Sequence, residues 1–374
     1  MSDLANLAKL ARSQAQLPVD VYLDDALLQQ EIAHLFNPGP RYVGHELMVP
    51  NVGDYATLAR ENEGRMLVRN AHGIELLSNV CRHRQAKMLD GRGNTRHIVC
   101  PLHRWTYDLQ GDLIGAPHFG ETPCLHLATT PLQQWNGLLF EQNGVDVARI
   151  MRDLSVTKDI DFSGYLLDHV EVHDCDYNWK SFIEVYLEDY HVEPFHPGLG
   201  NFVSCDDLTW EFGENYSVQT VGVHHALSKF GTPKYQQWQE QVMKFRHGVV
   251  PPYGAIWLTI YPNIMVEWYP DVLVVSTLWP DGPQKTKNVV EFYYPEEIVL
   301  FEREFIEAER AAYMETCVED DEIARRMDAG RRILMARGIS ETGPYQSPME
   351  DGMQHFHEWY RRQLQGHRIS NLEK

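Results

Sequence analysis

Short apolar runs separated by turns are the dominant pattern in the first half of the chain. Residues 76–80 and 97–99 are two such runs. Glycines supply turns close to them: Gly91, Gly93 and Gly111. Runs of this length, bounded by turn residues, predict short β-strands. We therefore predict an all-β domain over residues 41–146.

Longer stretches rich in β-branched and aromatic residues alternate with helical patterns in the rest of the chain. Four strand-like stretches lie between proline, glycine and asparagine turns: residues 255–261, 264–268, 272–279 and 288–294. Residues 296–318 and 349–365 have a helical pattern, and an amphipathic helix is predicted over residues 24–36. We therefore predict an α+β domain over residues 147–374, with residues 1–40 as its N-terminal helical part.

The composition is that of a globular protein with an acidic balance. The 374 residues include 43% hydrophobic and 11% aromatic residues, which is enough for a large core and two domains. The formal charge of −20 argues against nucleic acid and anionic membranes as partners. There is no apolar run of about 18 residues that could span a bilayer, and no signal-peptide core follows Met1.

The six cysteines are too few and too scattered for a disulfide scaffold. Four of them are interpreted as free core thiols: Cys124, Cys175, Cys205 and Cys317. Because a cytoplasmic compartment would keep such thiols reduced, we predict a cytoplasmic location.

The other two cysteines belong to half-motifs that can together form one metal site. Cys81-Arg82-His83 and Cys100-Pro101-Leu102-His103 each carry one cysteine and one histidine. Two thiolates and two imidazoles are the ligands of a Rieske 2Fe-2S cluster, in which histidines replace the thiolates on one iron. Zinc also accepts this ligand set. Zinc fingers usually pair cysteine with cysteine and histidine with histidine, so the interleaved order favours the cluster.

Further residues extend the pattern beyond the ligands: Cys81-Arg82-His83-Arg84, Gly93-Asn94, Cys100-Pro101-Leu102-His103-Arg104-Trp105 and Tyr107-Asp108-Leu109-Gln110-Gly111. This ordered set resembles the cluster-binding stretch of Rieske non-haem iron oxygenase α subunits, the family of aromatic ring-hydroxylating dioxygenases and Rieske monooxygenases. The resemblance implies that Cys81, His83, Cys100 and His103 bind the 2Fe-2S cluster from two hairpin loops. It also implies a catalytic domain with an antiparallel sheet surrounded by helices.

A second motif starts at Asn178-Trp179-Lys180 and contains Glu188, His191 and His196. A helix is predicted over residues 181–190, in which Glu188 and His191 would share one face. A proline between the two histidines disturbs the helix where the chain must bend to bring both imidazoles together. Two histidines and a carboxylate, with coordination positions left open, are the ligands of oxygen-activating non-haem iron(II).

This stretch resembles the catalytic domain of the same family, in which Asn-Trp-Lys is followed by a carboxylate, two residues, His, four residues and His. The resemblance implies that His191 and His196 bind the mononuclear iron. Glu188 takes the place of a bridging carboxylate, often Asp in relatives, that hydrogen-bonds an iron ligand and a cluster histidine of the neighbouring subunit. Glu184 and Glu193 compete for this assignment.

The third iron ligand is expected in the acidic run Glu319-Asp320-Asp321-Glu322. Relatives place this ligand in an acidic pair that starts a late helix. Counting back from Gly330 selects Asp320, with Asp321 as the alternative. Acidic residues at a helix start are also favoured by the helix dipole without any metal.

The resemblance implies the terminal oxygenase component of a system that takes electrons from an NAD(P)H-linked flavin reductase or a ferredoxin. Six basic residues lie in the cluster segment, against a single acid at Asp90: Arg82, Arg84, Lys87, Arg92, Arg96 and Arg104. They could dock an acidic electron donor or offset the charge of the cluster. The resemblance further implies a C3 homotrimer in which His103 of one subunit meets Glu188 of the next.

An aromatic ring or aromatic acid is the first hypothesis for the substrate, since it suits an apolar pocket. The alternative is a quaternary ammonium compound, because residues 261–265, Tyr-Pro-Asn-Ile-Met, resemble relatives that act on such compounds. Glu267 and nearby rings could cage a cation, although core packing explains most of these rings. A Rieske electron carrier without catalysis is a third hypothesis, which the second motif and the chain length oppose.

Overall fold

The structure, a computed structural model, describes residues 15–365, and these form two compact units. The larger unit contains residues 15–37, Val156–Ile160 and residues 168–365. The smaller unit contains Pro38–Ser155 and Asp161–Leu167. None of the described helices is long and apolar enough to cross a membrane.

The helices and strands are numbered in chain order. The helices are Asp25–Glu31 (α1), Val147–Ile150 (α2), Trp179–Tyr186 (α3), Val192–Phe195 (α4), Pro233–Phe245 (α5), Glu296–Phe301 (α6), Arg303–Ala336 (α7) and Asp351–Leu364 (α8). The first strands are Tyr42–His45 (β1), Asp54–Thr57 (β2), Arg65–Arg69 (β3), Ile74–Ser78 (β4), Arg92–Asn94 (β5), Ile98–Val99 (β6), Thr106–Tyr107 (β7), Leu113–Gly115 (β8), Thr129–Thr130 (β9), Leu132–Trp135 (β10) and Leu138–Glu141 (β11). The later strands are Tyr165–Cys175 (β12), Val203–Phe212 (β13), Tyr216–Val223 (β14), Ala255–Ile260 (β15), Ile264–Tyr269 (β16), Val272–Gly282 (β17) and Lys285–Pro295 (β18).

The smaller unit is built from three antiparallel sheets. Their strand orders are β1-β11-β10, β5-β2-β3-β4-β9 and β6-β7-β8. Apolar side chains from neighbouring sheets, including Leu67, Leu76 and Leu139, are buried in one cluster between them. The β6–β7 hairpin holds Cys100 at its tip, and Cys81 follows β4 closely. The predicted all-β class of this domain is confirmed.

The larger unit is centred on a seven-stranded sheet with the order β12-β18-β17-β16-β15-β14-β13. Its neighbouring strands from β13 to β18 are antiparallel. Every residue of β15 and β16 is buried because helices cover the sheet. One apolar cluster joins the sheet to α5 and α7, and another joins it to α1, α3 and α8. The predicted α+β class, with an antiparallel sheet surrounded by helices, is confirmed.

Helix α3 is shorter than the sequence pattern predicts. Asn178 caps it by accepting a hydrogen bond from the Lys180 amide at 2.9 Å, but the helix ends at Tyr186. After that point, the Asp189 amide donates to the Met349 carbonyl at 3.0 Å instead of continuing the helix. The prediction of a single helix up to residue 190 is therefore wrong, because a tertiary backbone partner replaces the helical one.

Helix α7 is longer than predicted and starts later. The helical pattern over residues 296–318 is interrupted at Glu302, and the second helix then continues to Ala336. The acidic run at residues 319–322 consequently lies inside α7 rather than at its start. The helix dipole, which acts within the first turn, therefore does not explain this run.

The cysteines are free thiols in the structure. Cys175 and Cys205 are buried and Cys317 is half-buried, but Cys124 is exposed. The prediction of a core position is therefore wrong for Cys124. This residue lies in the irregular segment between β8 and β9.

A buried ion cluster connects three helices of the larger unit. Glu184 of α3 is 2% exposed, and its Oε2 lies 2.5 Å from Nη2 of Arg331 in α7. Its Oε1 lies 2.9 Å from Nε2 of His357 in α8 and accepts a hydrogen bond from the Tyr22 hydroxyl. The Glu184→Ala variant is expected to lose about 3–5 kcal/mol of unfolding free energy, because Arg331 and His357 would lose their shared buried carboxylate and Arg331 would keep only Asp328, at 3.1 Å, as an acidic partner. Urea unfolding followed by fluorescence measures this loss.

Glu322→Ala is the matched control for this prediction. Glu322 pairs with Arg326 at 2.5 Å on the exposed side of α7. An exposed pair of this kind contributes about 0–1 kcal/mol, so the control should unfold almost like the wild type. Equal stability of the two variants would contradict the role assigned to the Glu184 cluster.

Candidate metal centres

The two Cys-x-His and Cys-x-x-His loops of the smaller unit have the same backbone turn. The Cys81 carbonyl accepts a hydrogen bond from the Gln85 amide at 3.0 Å, and the Cys100 carbonyl accepts one from the Arg104 amide at 3.1 Å. Gln85 and Arg104 both have left-handed φ values, of 55° and 59°. Each loop thus reverses direction within two residues of its histidine and presents a thiol and an imidazole from the same tight turn.

The four predicted cluster ligands come together between these loops. Cys81 and Cys100 are buried free thiols, and the ring centroids of His83 and His103 are 4.6 Å apart. His83 stacks on Trp105 with a centroid distance of 4.8 Å and an angle of 7°. Its Nδ1 is buried and has no hydrogen-bond partner among residues 15–365. A buried nitrogen without a partner, next to a second imidazole and in loops that carry two buried free thiols, fits a bound Rieske cluster.

Tyr107 is a further residue of this centre, which the sequence analysis quoted without a role. Its hydroxyl lies 3.6 Å from Sγ of Cys81 and accepts a hydrogen bond from the Arg82 amide at 3.1 Å. Hydrogen bonds to ligand sulfurs tune the reduction potential of iron–sulfur clusters. The spacing of Cys81 and Tyr107 in the sequence carries no signal of this contact.

The larger unit brings His191, His196 and Asp320 together. One potential ligand atom of each lies within 4.8 Å of the others. Oδ1 of Asp320 is 3.4 Å from Nε2 of His191 and 3.0 Å from Nε2 of His196. This oxygen is buried and makes no geometrically acceptable hydrogen bond within the described part of the chain. Three donors that converge in this way, with one side left to the pocket, fit a 2-His-1-carboxylate iron site.

The structure separates Asp320 from its alternative, Asp321. Oδ1 of Asp321 accepts a hydrogen bond from the Tyr177 hydroxyl at 2.6 Å, and its Oδ2 lies 3.1 Å from Arg325. Successive residues of a helix point in different directions, so only Asp320 faces the two histidines.

A carboxylate lies behind each of the two histidines. Oε1 of Glu188 is 2.5 Å from Nδ1 of His191, and Oε2 of Glu319 is 2.7 Å from Nδ1 of His196. Carboxylates in this position fix the tautomer and orientation of a metal-ligating imidazole. Glu319 was not assigned this role from the sequence, because only the fold brings residues 123 positions apart into contact.

The two competitors of Glu188 lie elsewhere. Glu184 belongs to the buried ion cluster with Arg331, and Glu193 is exposed on α4. Glu188 also accepts a hydrogen bond from the His191 amide at 3.0 Å, which holds the turn that carries His191. Outside a helix, this backbone contact replaces the shared helical face that the sequence pattern predicted.

The three side chains of the triad shift one another's pKa values. Burial lowers the pKa of His191, but the adjacent carboxylates of Asp320 and Glu188 outweigh it and raise this pKa to about 10. Burial raises the pKa of Asp320, yet the two histidines outweigh it and leave this pKa below its usual value. The Asp320 carboxylate is therefore held as an anion, as a ligand to a divalent metal must be, whereas His191 binds a metal only after it has lost its proton.

A pocket adjoins the triad at Asp320. It is lined by Tyr177, Phe182, Val185, Tyr186, Leu199, Tyr235, Trp238, Glu267, Tyr269, Tyr313, Thr316, Cys317, Asp320 and Ala324. Glu267 is 2% exposed, and burial raises its pKa to about 7. Among the rings of residues 257–279, the strand region around Glu267, Tyr269 lines the pocket. The other lining rings come from α3, α5, α7 and, for Tyr177, the segment between β12 and α3, and the sequence did not predict them.

The comparisons with known proteins agree with both centres. Residues 41–131 match the Rieske [2Fe-2S] domain, and residues 162–366 match the catalytic domain of the ring-hydroxylating α subunit. The chain belongs to the family of Rieske non-haem iron oxygenase α subunits. It is therefore an oxygenase that contains a Rieske 2Fe-2S cluster and a mononuclear iron, and the zinc-site and electron-carrier hypotheses are wrong. Such α subunits take electrons from a partner reductase or ferredoxin and act on small molecules.

Two curated relatives are especially similar to the chain. A putrescine 2-hydroxylase of Ralstonia nicotianae is 72% identical, over 97% of this chain and 99% of that protein. A putrescine 2-hydroxylase of Bordetella bronchiseptica is 58% identical, over 97% of this chain and 87% of that protein. The carnitine monooxygenase oxygenase subunit of Escherichia coli is 24% identical, over 91% of both chains.

Solved structures show the same fold at lower identity. The quaternary ammonium Rieske monooxygenase CntA in complex with L-carnitine has a TM-score of 0.71 and 19% identity, over 94% of this chain and 96% of that chain. Naphthalene 1,2-dioxygenase from Rhodococcus sp. has a TM-score of 0.69 and 19% identity, over 93% and 94% of the two chains.

Proposed function

We propose that this oxygenase hydroxylates putrescine, a small aliphatic diamine with an ammonium group at each end. Two relatives with high identity act on putrescine by name. The observation in the chain itself that carries the proposal is Glu267, a buried carboxyl group in the pocket beside Asp320. The aromatic substrate favoured by the sequence analysis is not supported. The alternative, a quaternary ammonium compound, is chemically closer to the proposed substrate. The relatives with high identity, however, act on a primary diamine rather than a quaternary ammonium compound.

The proposed ligand assignment follows the geometry of the two centres. Cys81, His83, Cys100 and His103 would hold the cluster, and His191, His196 and Asp320 would hold the mononuclear iron. When bound, the cluster supplies electrons one at a time and the mononuclear iron supplies the position at which dioxygen reacts. Overall, one C–H bond of the diamine becomes C–OH. The second oxygen atom of O2 takes up two electrons and two protons and leaves as water.

The residues of the chain orient the substrate and keep water out. Glu188 and Glu319 hold the imidazoles of His191 and His196 in place, which keeps both Nε2 atoms directed at Asp320. The aromatic walls of the pocket pack on the hydrocarbon part of the diamine. A substrate enclosed in this way presents one carbon to the reacting position instead of tumbling.

The electron donor and the assembly complete the proposal. The two cluster loops expose one histidine and three arginines: His103, Arg82, Arg84 and Arg104. They offer a positive surface to an acidic ferredoxin or reductase.

We also propose the C3 homotrimer that the resemblance implied, in which His103 of one subunit meets Glu188 of the next. Both residues reach the surface of their own units, which such a contact requires.

A substrate panel tests the proposed function. Oxygen uptake and product mass would be measured with putrescine, L-carnitine, choline and benzoate, using a surrogate reductase. Putrescine is expected to have a kcat/KM at least about a hundredfold above the others, because a site with a buried polar group strongly rejects ligands that leave it unpaired. Faster turnover of benzoate or of a quaternary ammonium compound would contradict the proposal.

A further inference from the structure

Among residues 15–365, the side chains that donate hydrogen bonds to Glu267 are neutral. It lies on β16, where the Tyr269 hydroxyl donates to Oε2 at 2.9 Å and the Tyr313 hydroxyl donates to Oε1 at 3.4 Å. Phenols can satisfy hydrogen bonds, but they cannot neutralise a carboxylate. An isolated buried carboxylate is costly unless a positive charge accompanies it.

The chain itself supplies no such charge inside the pocket. Among the residues that line it within the described part of the chain, there is no lysine, arginine or histidine. Burial and the nearby Asp320 both raise the pKa of Glu267, and only the two phenols oppose them. The proposed iron and the two histidines account for the charge of Asp320, whereas no cationic side chain among the lining residues accompanies Glu267. The pocket is therefore complementary to a cation that comes from outside.

Two further polar groups in this pocket lack partners. The Tyr186 hydroxyl and Nε1 of Trp238 are buried and make no hydrogen bond within residues 15–365. Both residues line the same pocket as Glu267. The charge of Glu267 adds to burial in raising the pKa of Tyr186, so the two groups are close enough to interact. Buried polar groups without partners mark a place where a ligand completes the hydrogen bonds.

Aromatic rings surround the carboxyl group on several sides. Tyr269 lies 5.9 Å from Trp238 and 6.2 Å from Tyr313 between ring centroids, with angles of 72° and 87°. Rings at steep angles to one another form the walls of a box rather than a stack. A box of this kind with one acid attracts an ammonium group through both its π-faces and its negative charge.

We propose that Glu267 is a specificity-determining residue, whose carboxylate binds one terminal ammonium group of the substrate inside this aromatic box. This inference rests on the proposed function and adds which end of the pocket holds the charge. With one ammonium fixed at Glu267, the number of methylene groups decides which carbon reaches the side of the pocket formed by Asp320. The site thus selects both the charge and the length of the amine.

A binding experiment without turnover tests this inference. Equilibrium dialysis of radiolabelled putrescine would be measured on the oxidised holoenzyme, for the wild type and for Glu267→Gln. The variant is expected to bind about fiftyfold more weakly, because it loses one partner of a buried charge pair. Glu267→Asp keeps the charge but moves it back by one methylene group, so an intermediate affinity is expected.

Glu309→Gln is the matched control. Glu309 is as buried as Glu267 and accepts a hydrogen bond from the Tyr294 hydroxyl at 2.5 Å, but it does not line the pocket. Its affinity for putrescine should stay close to that of the wild type. Metal content and the thermal midpoint of each variant establish that it has folded.

A wild-type measurement keeps the inference testable if a variant fails to fold. 1,4-Butanediol has the length of putrescine but no charge, so it should compete with radiolabelled putrescine far more weakly than unlabelled putrescine does. Equal competition by the diol, or an unchanged affinity in folded Glu267→Gln, would overturn the inference and leave the proposed function standing. A wild type that does not bind putrescine would overturn both.

Discussion

Replacing Asp320 by asparagine is expected to remove the mononuclear iron and to lower hydroxylation by more than about a hundredfold, since residues that merely support a ligand already contribute about 10–100-fold. Oδ1 of Asp320 faces Nε2 of both His191 and His196. An amide at this position would leave two neutral imidazoles, which bind iron(II) weakly without a carboxylate. Iron analysis together with the visible spectrum of the cluster measures both centres.

Asp321→Asn is the control, because it makes the same chemical change at the next residue. Asp321 is bound by Tyr177 and Arg325, so this variant should keep the mononuclear iron and most of its activity. In Asp320→Asn the visible spectrum should stay that of a Rieske cluster. Loss of iron from Asp321→Asn with retention in Asp320→Asn would reverse the assignment of the third ligand.

Replacing Glu188 by alanine is expected to keep both metal centres and to lower turnover by at least about a hundredfold, through loss of the group that orients His191. In the proposed trimer, the same residue links His191 to His103 of the neighbouring subunit. Glu193→Ala, an exposed change five residues away, should have no such effect. Steady-state turnover and metal content of the two variants measure the difference.

Mixed assemblies show whether this link joins different subunits. Glu188→Ala has an intact cluster, whereas His103→Ala keeps Glu188 but loses a cluster ligand. Co-expression should restore about a quarter of wild-type activity. With equal, random mixing, half of the subunits carry a cluster, and half of the subunits that follow them in the ring carry Glu188, so about a quarter of the contacts have both groups. Co-purified variants that stay as inactive as each variant alone would contradict an intersubunit link.

The sequence motifs identified the chemistry of both centres because their proposed ligands are close together in the chain. The four proposed cluster ligands lie within residues 81–103, and two of the proposed iron ligands lie within residues 191–196. Tight turns hold such neighbours in one place, so local spacing is enough to recognise them. The same locality explains why the strands between turns were placed within a few residues.

The proposed third iron ligand was harder to predict because its position depends on the fold. The acidic run was expected at a helix start, where Asp320 and Asp321 would be difficult to separate. It lies inside the long helix α7, and the direction of the helix decides which aspartate faces the histidines. The predicted end of α3 was wrong for a similar reason. The backbone amide of Asp189 donates a hydrogen bond to the segment before α8 instead of continuing the helix.

The pocket could not be predicted from local patterns at all. Its rings come from four separate elements, α3, α5, β16 and α7, and from Tyr177 in the segment between β12 and α3. In each element they look like ordinary core residues, since an aromatic ring in a helix or a buried strand usually packs in the core. Glu267 was the one local signal, because an acid within a continuous apolar strand is unusual.

The most direct test of the account is the origin of the oxygen atom in the product. Putrescine would be incubated with the holoenzyme, a reductase and NADH under oxygen-18 gas, and the product would be analysed by mass spectrometry. The proposed function predicts a hydroxylated diamine that contains one oxygen-18 atom. A product whose oxygen comes from water, or consumption of labelled oxygen without any hydroxylated diamine, would contradict it.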